Sequence, residues 1–351
     1  MSNRRRPKPR RRYGALCLAA LIVLGGGTAV AMASHADRSG GDQRVVSDAA
    51  AQGTDGPSGA APATATASGR PTATPTTKAD PRSTASASRH PGPRATTAAT
   101  ATTPARNVPL PGTAPAVFTG RALDTCTAPT LATMTAWRKS SPYGAAAVYV
   151  GGRNRGCAQP QLSSSWVRTV SAAGWKLIPL YVGAQPPCQT GGNPERISAD
   201  NATTLGATDG ADAAAKASAL GMRTGSTVYL DMEAFDISDP SCVAAVLTYV
   251  QAWDRAAHSH GYWAGFYGFS TTSAAVVATA KETGKADLPD ALWYARYDGN
   301  PNTTTGFPYS GGLWSGHRRG HQYAVNLKET YGGASLTIDH DAWDGPVAIT
   351  G

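Results

Sequence analysis

The feature that most constrains the fold is a repeated alternation in residues 113–351, where short apolar runs rich in β-branched and aromatic residues alternate with longer Ala-rich segments. This rhythm is typical of a parallel sheet built from strand-helix units. The Ala-rich segments end at glycine, a frequent helix stop. We predict strands near residues 117–124, 145–150, 175–182, 226–233, 262–267, 291–297, 321–325 and 335–341.

Eight such strands define the predicted fold class, which is α/β. Eight strands of this kind in about 240 residues fit a (β/α)8 TIM-type barrel, whose usual size is about 250 residues. A doubly wound open sheet is the alternative. Residues 298–320 read as a loop, so we expect the last strands to lack full covering helices.

The N-terminal third has a different composition. Residues 1–33 begin with seven basic side chains within the first 12 positions and continue with 21 uncharged residues. This pattern predicts an export signal cleaved after Ala33, with an uncleaved membrane anchor as the alternative. Residues 34–112, rich in Ala, Thr, Pro, Ser and Gly, predict a disordered linker. We expect a secreted or cell-wall-associated protein whose folded domain is 113–351.

The formal net charge of +9 comes from outside the folded domain. Residues 113–351 contain 17 basic and 18 acidic side chains. A nearly neutral domain lacks the basic surface that binds phosphate backbones, so we expect no nucleic-acid partner. Membrane contact is expected through the N-terminal segment alone, and only if that segment is uncleaved.

Four cysteines remain in the folded domain, an even number that favours disulfides in an exported protein. They follow the first three predicted strands or begin the helix after the fourth, so they share one rim of the barrel. Bridges between adjacent loops are the least strained, because neighbouring strands lie about 4.8 Å apart. We therefore predict the disulfides Cys126–Cys157 and Cys188–Cys242.

The fourth predicted strand ends in "VYLDMEAFD", which sets Asp231 and Glu233 on one face. Cleavage of a glycosidic bond needs a protonated acid and a second group that stabilises positive charge or acts as nucleophile. Burial and a neighbouring carboxylate would keep a proton on Glu233. We predict Glu233 as the general acid and Asp231 as the stabilising or substrate-assisting group. In the alternative, one of them caps the next helix, although Asp239 already offers a cap.

Further candidates lie at the other strand ends, because the active sites of TIM barrels occupy the C-terminal ends of the strands. Strands one and eight are neighbours in a closed barrel, so their acids would converge with the fourth strand. The aromatic candidates stack on sugar rings or belong to the core. The predicted substrate-binding residues are Asp124, Asp339, Asp341, Tyr181, Gln185, Tyr267, Arg296 and Gln322.

Other chemistries find little support in the sequence. It contains no GxSxG nucleophile motif, no HExxH zinc motif and no GxxxxGK[ST] phosphate loop. The histidines form no strong cluster, so a zinc site is a poorly supported alternative, and we expect no metal and no cofactor.

Six segments carry a resemblance to a known family: "ALDTCTAPT", "AVYVGGRNRGCAQ", "LIPLYVGAQPPC", "VYLDMEAF", "ALWYARYD" and "IDHDAWDG". Together they resemble a secreted bacterial glycoside-hydrolase-like domain that is similar to the family-25 lysozymes, the muramidases. The resemblance covers about residues 117–350. It implies a TIM-type barrel with Glu233 as general acid, and it places in the pocket Asp124, Asp231, Glu233 and Asp339.

The resemblance does not extend to the chitinase type, whose Asp-x-x-Asp-x-Asp-x-Glu pattern would require acids where this chain has Ser226 and Tyr229. The predicted function is a secreted glycoside hydrolase that cleaves a cell-wall or extracellular polysaccharide, with peptidoglycan favoured. A non-catalytic glycan-binding or wall-associated module on the same barrel is the alternative. A third reading is a structural surface protein on a stalk.

Overall fold

The chain is organised by a closed barrel of eight strands that follow one another in chain order around the ring. The computed structural model describes residues 108–351 and confirms the predicted TIM-type barrel. The strands are β1 (Ala116–Asp124), β2 (Tyr143–Gly151), β3 (Lys176–Val182), β4 (Thr227–Met232), β5 (Trp263–Phe269), β6 (Ala291–Ala295), β7 (Arg319–Tyr331) and β8 (Ala334–Val347). The helices are α1 (Leu131–Ser140), α2 (Ser164–Ala172), α3 (Ala202–Ala219), α4 (Pro240–Ser259) and α5 (Ser273–Glu282).

The predicted export signal, residues 1–33, lies outside the described part of the chain, as do residues 34–107 of the predicted linker. Between residues 108 and 351, no helix is long and apolar enough to cross a membrane. The first strand begins at Ala116, close to the predicted domain boundary at residue 113.

Local sequence signals explain where the helices begin. The Ser163 hydroxyl accepts a hydrogen bond from the main-chain N–H of Trp166 and so caps α2. Asp239 caps α4, and Pro240 occupies its first turn, where a missing N–H costs little. The helix α1 buries only two side chains, Met134 and Trp137, so its sequence carries a weak apolar pattern. No helix lies between β6 and β8, which confirms that the last strands lack covering helices.

The last strand departs from the prediction of a parallel sheet. β8 runs antiparallel to both of its neighbours, β7 and β1. The turn between β7 and β8 is Gly332–Gly333, and both glycines have positive φ, as a type I′ hairpin turn requires. A parallel crossover needs a dozen or more residues, so this short turn permits only a hairpin. Asp339 and Asp341 therefore lie in the middle of β8, and their predicted position at a C-terminal strand end was wrong.

Aromatic side chains fill the barrel interior below the strand ends. Trp293 packs edge-on against Trp343, with ring centroids 5.3 Å apart, and against Tyr267, at 4.8 Å. The ring of Tyr229 lies 5.4 Å from that of Trp343, also edge-on. Edge-to-face contacts of this kind are favourable. Because side chains alternate along a strand, Asp231 enters the same interior two residues after Tyr229.

Two disulfides stiffen the rim at which the strands end. They are the predicted pairs, Cys126–Cys157 and Cys188–Cys242, with Cα atoms 5.8 Å and 6.0 Å apart. The first joins the loops that follow β1 and β2, and the second joins the loop after β3 to the first turn of α4. A bridge of this kind stabilises the fold mainly by restricting the unfolded chain.

The tightness of the interior can be tested at Gly265, where a β-carbon would lie 2.4 Å from the Tyr229 ring. We expect Gly265→Ala to lower the free energy of unfolding by about 1–3 kcal/mol, because a ring locked between neighbours cannot move aside. Gly312→Ala is the matched control, since a β-carbon there would meet nothing within 4 Å. Urea unfolding followed by tryptophan fluorescence measures both. Equal stability of the two variants would contradict the packing described.

Candidate active site

Five carboxyl groups gather inside the mouth of the barrel, and we call them the carboxylate cluster: Asp124, Asp231, Glu233, Asp339 and Asp341. Asp124 ends β1, Asp231 belongs to β4, and Glu233 follows that strand. The register of β8 on β1 sets Asp339 opposite Asp124. Opposed residues of antiparallel strands have β-carbons about 4.5–5.5 Å apart, so closure of the barrel brings these two acids together.

Gln322 of β7 is the polar centre of the cluster. Its side-chain amide donates to a carboxylate oxygen of Asp124 at 2.8 Å and to one of Asp339 at 3.1 Å. Its Oε1 accepts from the Tyr267 hydroxyl at 2.8 Å. Because Gln322 is buried and its amide is fully engaged, it acts by fixing the two carboxylates. Burial raises the pKa of Asp124 well above its usual range, and the hydrogen bond from Gln322 opposes that rise.

Asp341 forms the floor of the cluster. It is fully buried, and its Oδ1 accepts from the indole N–H of Trp293 at 2.8 Å. Burial first, and then the charge of Asp124, raise the pKa of Asp341 well above its usual range. Its Oδ2 has no hydrogen-bond partner among residues 108–351. Contact with Asp341 opposes the rise that burial causes in the pKa of Asp124, so the proton of this pair belongs on Asp341.

Asp231 and Glu233 occupy the β4 side of the cluster. Asp231 is only 4% exposed, and its Oδ1 has no hydrogen-bond partner among residues 108–351. Burial raises the pKa of Asp231 well above its usual range, and the charges of Glu233 and Asp124 add to the rise. Burial also raises the pKa of Glu233 to about 7. A carboxyl group with that pKa keeps its proton in mildly acidic solution and can act as an acid.

No cation neutralises the centre of the cluster. In the described part of the chain, none of the ion pairs includes Asp124, Asp231 or Glu233. Burial raises the pKa of Asp339 to about 6, against the opposing effect of the main-chain N–H of Asn326. Carboxyl groups this close cannot all ionise together. The cluster therefore retains protons near neutral pH.

Tyr149 of β2 is a member of the site that the sequence reasoning missed. Burial raises its pKa, and the charges of Asp124 and Asp231 are the next causes, so its hydroxyl faces the cluster. It continues the inward alternation of Ala145 and Ala147, which line the barrel interior. That alternation is the sequence signal that could have found it.

Tyr297 follows β6 and lies at the rim of the cluster. The residue is 50% exposed, and its hydroxyl lies close to the carboxyl groups of the cluster. Burial of the hydroxyl, together with the charge of Asp339, raises the pKa of Tyr297. Its ring packs edge-on against Phe269, with centroids 6.1 Å apart. An exposed ring beside buried carboxyl groups suits the stacking of a sugar.

The structure does not bring Tyr181 to the cluster. Its hydroxyl donates to Asp212 of α3 at 3.0 Å, and its ring belongs to the core between the sheet and the helices. It follows the inward-facing Leu180 by one residue, so strand alternation turns it outward. Tyr181 joins α3 to the barrel wall, which corrects its prediction as a substrate-binding residue.

Gln185 and Arg296 follow strand ends as predicted, but neither side chain is bonded to a carboxyl group of the cluster. Arg296 pairs with Asp298 at 3.2 Å and donates to the main-chain oxygen of Gly306 at 2.8 Å. Gln185 is fully buried, and its side chain is bonded to the main chain of Gly183, Asp231 and Glu233. Asp124, Asp339, Asp341, Tyr267 and Gln322 do meet at the cluster.

The helix after β4 does not use the acids of the cluster. Its cap is Asp239, which accepts from the main-chain N–H groups of Ser241 at 2.9 Å and Cys242 at 3.1 Å. The capping alternative for Asp231 and Glu233 is therefore wrong. Among residues 108–351, no group of three or more His, Cys, Asp and Glu side chains is arranged to hold a metal ion.

Comparison with known families matches residues 135–343 to the sequence model of the Rv2525c-like, glycoside hydrolase-like domain. The match spans more than half of the chain. No curated protein matches the sequence.

Three solved structures are similar to the chain at low identity. The Tat-secreted protein Rv2525c of Mycobacterium tuberculosis, in complex with L-tartrate, is 17% identical with a TM-score of 0.42, covering 64% of this chain and 96% of that one. An uncharacterized B. stearothermophilus protein is 16% identical with a TM-score of 0.43, covering 64% and 95%. The Clostridium perfringens spore cortex lytic enzyme SleM is 14% identical with a TM-score of 0.42, covering 65% and 67%.

The raised pKa of Glu233 predicts a pH dependence of stability. Its folded value of about 7 exceeds the ordinary 4.5, so the folded state binds more protons than the unfolded state between those pH values. The free energy of unfolding therefore falls as pH rises through this window, and the ionisation of Glu233 accounts for on the order of 3 kcal/mol of the fall. We expect the Glu233→Gln variant to lack this part of the pH dependence of the free energy of unfolding, which is measured by urea unfolding at several pH values. The exposed Glu282→Gln should keep it, and an unchanged slope in Glu233→Gln would contradict the assignment.

Proposed function

We propose that this chain, which belongs to the Rv2525c-like, glycoside hydrolase-like domain family, is an exported glycoside hydrolase acting on a cell-wall or extracellular polysaccharide. Peptidoglycan is the favoured substrate. The observation that carries the proposal is Glu233, whose pKa of about 7 lets it hold a proton beside Asp231 at the barrel mouth. The active sites of TIM-barrel enzymes occupy this end of the strands.

Glu233 is the general acid in the proposed reaction. Its carboxyl group transfers a proton to the glycosidic oxygen as the bond between that oxygen and the anomeric carbon breaks. The leaving sugar departs as a neutral alcohol, and Glu233 becomes a carboxylate. The same carboxylate then takes a proton from the attacking water, which restores the acid.

Asp231 stabilises the sugar that loses its leaving group. Bond breaking leaves positive charge at the anomeric carbon and the ring oxygen. The unpartnered Oδ1 of Asp231 is available to this charge or to a substituent on the sugar. Because Asp231 and Glu233 oppose each other's ionisation, the pair carries one proton over a broad pH range. In the productive form that proton is on Glu233.

The choice of a wall polysaccharide rests on the export signal and on the resemblance to muramidases. We propose that residues 1–33 direct export and that residues 34–112 tether the domain 113–351 at a distance from the membrane or across a wall layer. Tyr297 offers an exposed ring for a sugar next to the acids. Neither step of the proposed reaction consumes a cofactor.

Hydrolysis of purified peptidoglycan tests the proposal directly. We expect the wild-type chain to release reducing ends and Glu233→Gln to be slower by at least about 100-fold, because general acid catalysis contributes roughly 10²–10⁴ in rate. The alkaline limb of the wild-type pH profile should fall near pH 7, where Glu233 loses its proton. Equal rates for the two proteins would remove Glu233 from the mechanism.

Binding without turnover would identify the alternative, a non-catalytic glycan-binding module on the same barrel. A glycan array probed with the wild-type chain and with Glu233→Gln separates the two cases. Binding by both, with no reducing ends released by either, supports the module. If the proteins bind no glycan and release no reducing ends, the result supports a structural surface protein.

The stacking role of Tyr297 gives a separate prediction. We expect Tyr297→Ala to raise KM by roughly tenfold with a smaller change in kcat, because sugar stacking on an aromatic ring contributes about 1 kcal/mol or more. Tyr297→Phe keeps the ring and is the control, with KM close to that of the wild type. Initial-rate kinetics on soluble peptidoglycan fragments measure both, and an unchanged KM in the alanine variant would contradict stacking.

A further inference from the structure

Glu233 lies just beyond the hydrogen-bonded part of the sheet. The pairing of β4 with β3 ends at Asp231, opposite Val182, and its pairing with β5 ends at Met232, opposite Gly268. Neighbouring strands therefore do not hold the main chain of Glu233. A contact from outside the sheet must orient Glu233 if its carboxyl proton is to point at the glycosidic oxygen.

The side chain that contacts this segment is Gln185, from the loop after β3. Its Oε1 accepts from the main-chain N–H of Glu233 at 2.9 Å. Its Nε2 donates to the main-chain oxygen of Asp231 at 2.9 Å and to that of Gly183 at 3.2 Å. One amide therefore bonds to the main chain of both residues that carry the reacting carboxyl groups, and it continues the hydrogen bonding past the end of β4 to Glu233.

We propose that Gln185 is a positioning residue that fixes the orientation of Glu233 and does not bind substrate. The inference rests on the proposed role of Glu233 as general acid. A side chain that binds substrate needs a polar atom within reach of solvent, and Gln185 is 0% exposed. Both N–H groups and the oxygen of its amide are already bonded to the main chain.

The loop that carries Gln185 is itself held from several sides. The carboxylate of Asp209, on α3, accepts from the main-chain N–H of Ala184 at 3.1 Å. The hydroxyl of Tyr249, on α4, donates to the same carboxylate and lies 3.1 Å from the same N–H. The side-chain amide of Asn154 donates to the main-chain oxygen of Gly183 at 2.8 Å. Side chains therefore hold the main chain of both residues that precede Gln185 in the loop.

The main chain of Gln185 is bonded as firmly as its side chain. Its N–H donates to the main-chain oxygen of Glu195 at 3.1 Å, and its carbonyl oxygen accepts from Ile197 at 2.9 Å. Space is also tight, because a β-carbon at Gly183 would lie 2.3 Å from the Tyr249 hydroxyl oxygen. The loop forms a rigid support that transmits the position of α3 and α4 to Glu233.

Asp209 is the outer part of this support, and Asp212 on the same helix offers a matched comparison. Asp209 bonds to the loop main chain and to Tyr249. Asp212 accepts from the Tyr181 hydroxyl at 3.0 Å and has no bond to the loop. If the support acts through the loop, neutralising Asp209 must affect Glu233, whereas neutralising Asp212 must not.

The first measurement follows the proton of Glu233 without any need for turnover. The sequence has four glutamates, namely Glu195, Glu233, Glu282 and Glu329, so carbon-13 glutamate labelling of the full chain gives four assignable carboxyl signals. Gln185→Met removes both hydrogen-bonding functions at similar volume. We expect the titration midpoint of Glu233 to fall toward the ordinary glutamate value by at least about 0.5 pH units, because the released carboxyl group turns to solvent. The signals of the other three glutamates serve as internal controls.

The second measurement uses kinetics on soluble peptidoglycan fragments. A positioning role predicts that Gln185→Met lowers kcat by about tenfold or more while KM stays within about twofold, because the misplaced acid still allows binding. Gln185→Glu keeps an oxygen acceptor for the Glu233 N–H and should retain more of kcat. Asp209→Asn should lower kcat severalfold, and Asp212→Asn should not.

The outcomes separate this inference from the proposed function. A wild-type chain that releases no reducing ends overturns the proposed function, and the titration of Glu233 still decides the role of Gln185. An unchanged Glu233 midpoint in Gln185→Met overturns positioning, as does a rise in KM at constant kcat. If Gln185→Met does not fold, the comparison of Asp209→Asn with Asp212→Asn decides by the same titration.

Discussion

The antiparallel closure of β8 against β1 is the constraint on which the site depends. It sets Asp339 opposite Asp124 and Asp341 opposite Ala122, so two acids of β8 enter the barrel beside the last residue of β1. The Gly332–Gly333 turn determines this direction, since so short a connection cannot return the chain for a parallel strand. A feature of the turn, remote from the chemistry, thus decides which carboxyl groups meet.

Gathering acids inside a barrel opposes stability, and the structure shows how that cost is limited. Burying an ionised carboxylate without a partner is costly, so buried acids keep protons or accept hydrogen bonds. The side-chain amide of Gln322 donates hydrogen bonds to Asp124 and Asp339, and the indole N–H of Trp293 donates one to Asp341. The aromatic layer below contributes apolar burial of roughly 150–250 Å² for each ring. The site is therefore a locally unfavourable region supported by a well-packed layer, as functional sites commonly are.

Much of this arrangement follows from short-range sequence signals, and the remainder depends on pairing between distant segments. The strand-helix rhythm predicts the barrel, and the period of two in "VYLDME" predicts that Asp231 and Glu233 share a face. The same period of two turns Tyr181 away from the barrel interior and Tyr149 toward it, so it distinguishes these two tyrosines from sequence alone. The direction of β8 was missed because apolar runs indicate a strand and not its orientation. The role of Gln185 depends on contacts with residues 46 and 48 positions away, which no local pattern reveals.

The different roles proposed for Asp231 and Glu233 follow from where the sheet stops. Asp231 is still within the paired strand, so its short side chain is fixed above Tyr229 and is almost fully buried. Glu233 is the next residue on that face, lies outside the pairing, and has one more methylene group and partial exposure to solvent. A group that exchanges protons with water and reaches a leaving oxygen needs those properties, whereas a group that stabilises charge benefits from a fixed, water-poor position. An orienting contact is then required at Glu233 and not at Asp231, and Gln185 supplies it.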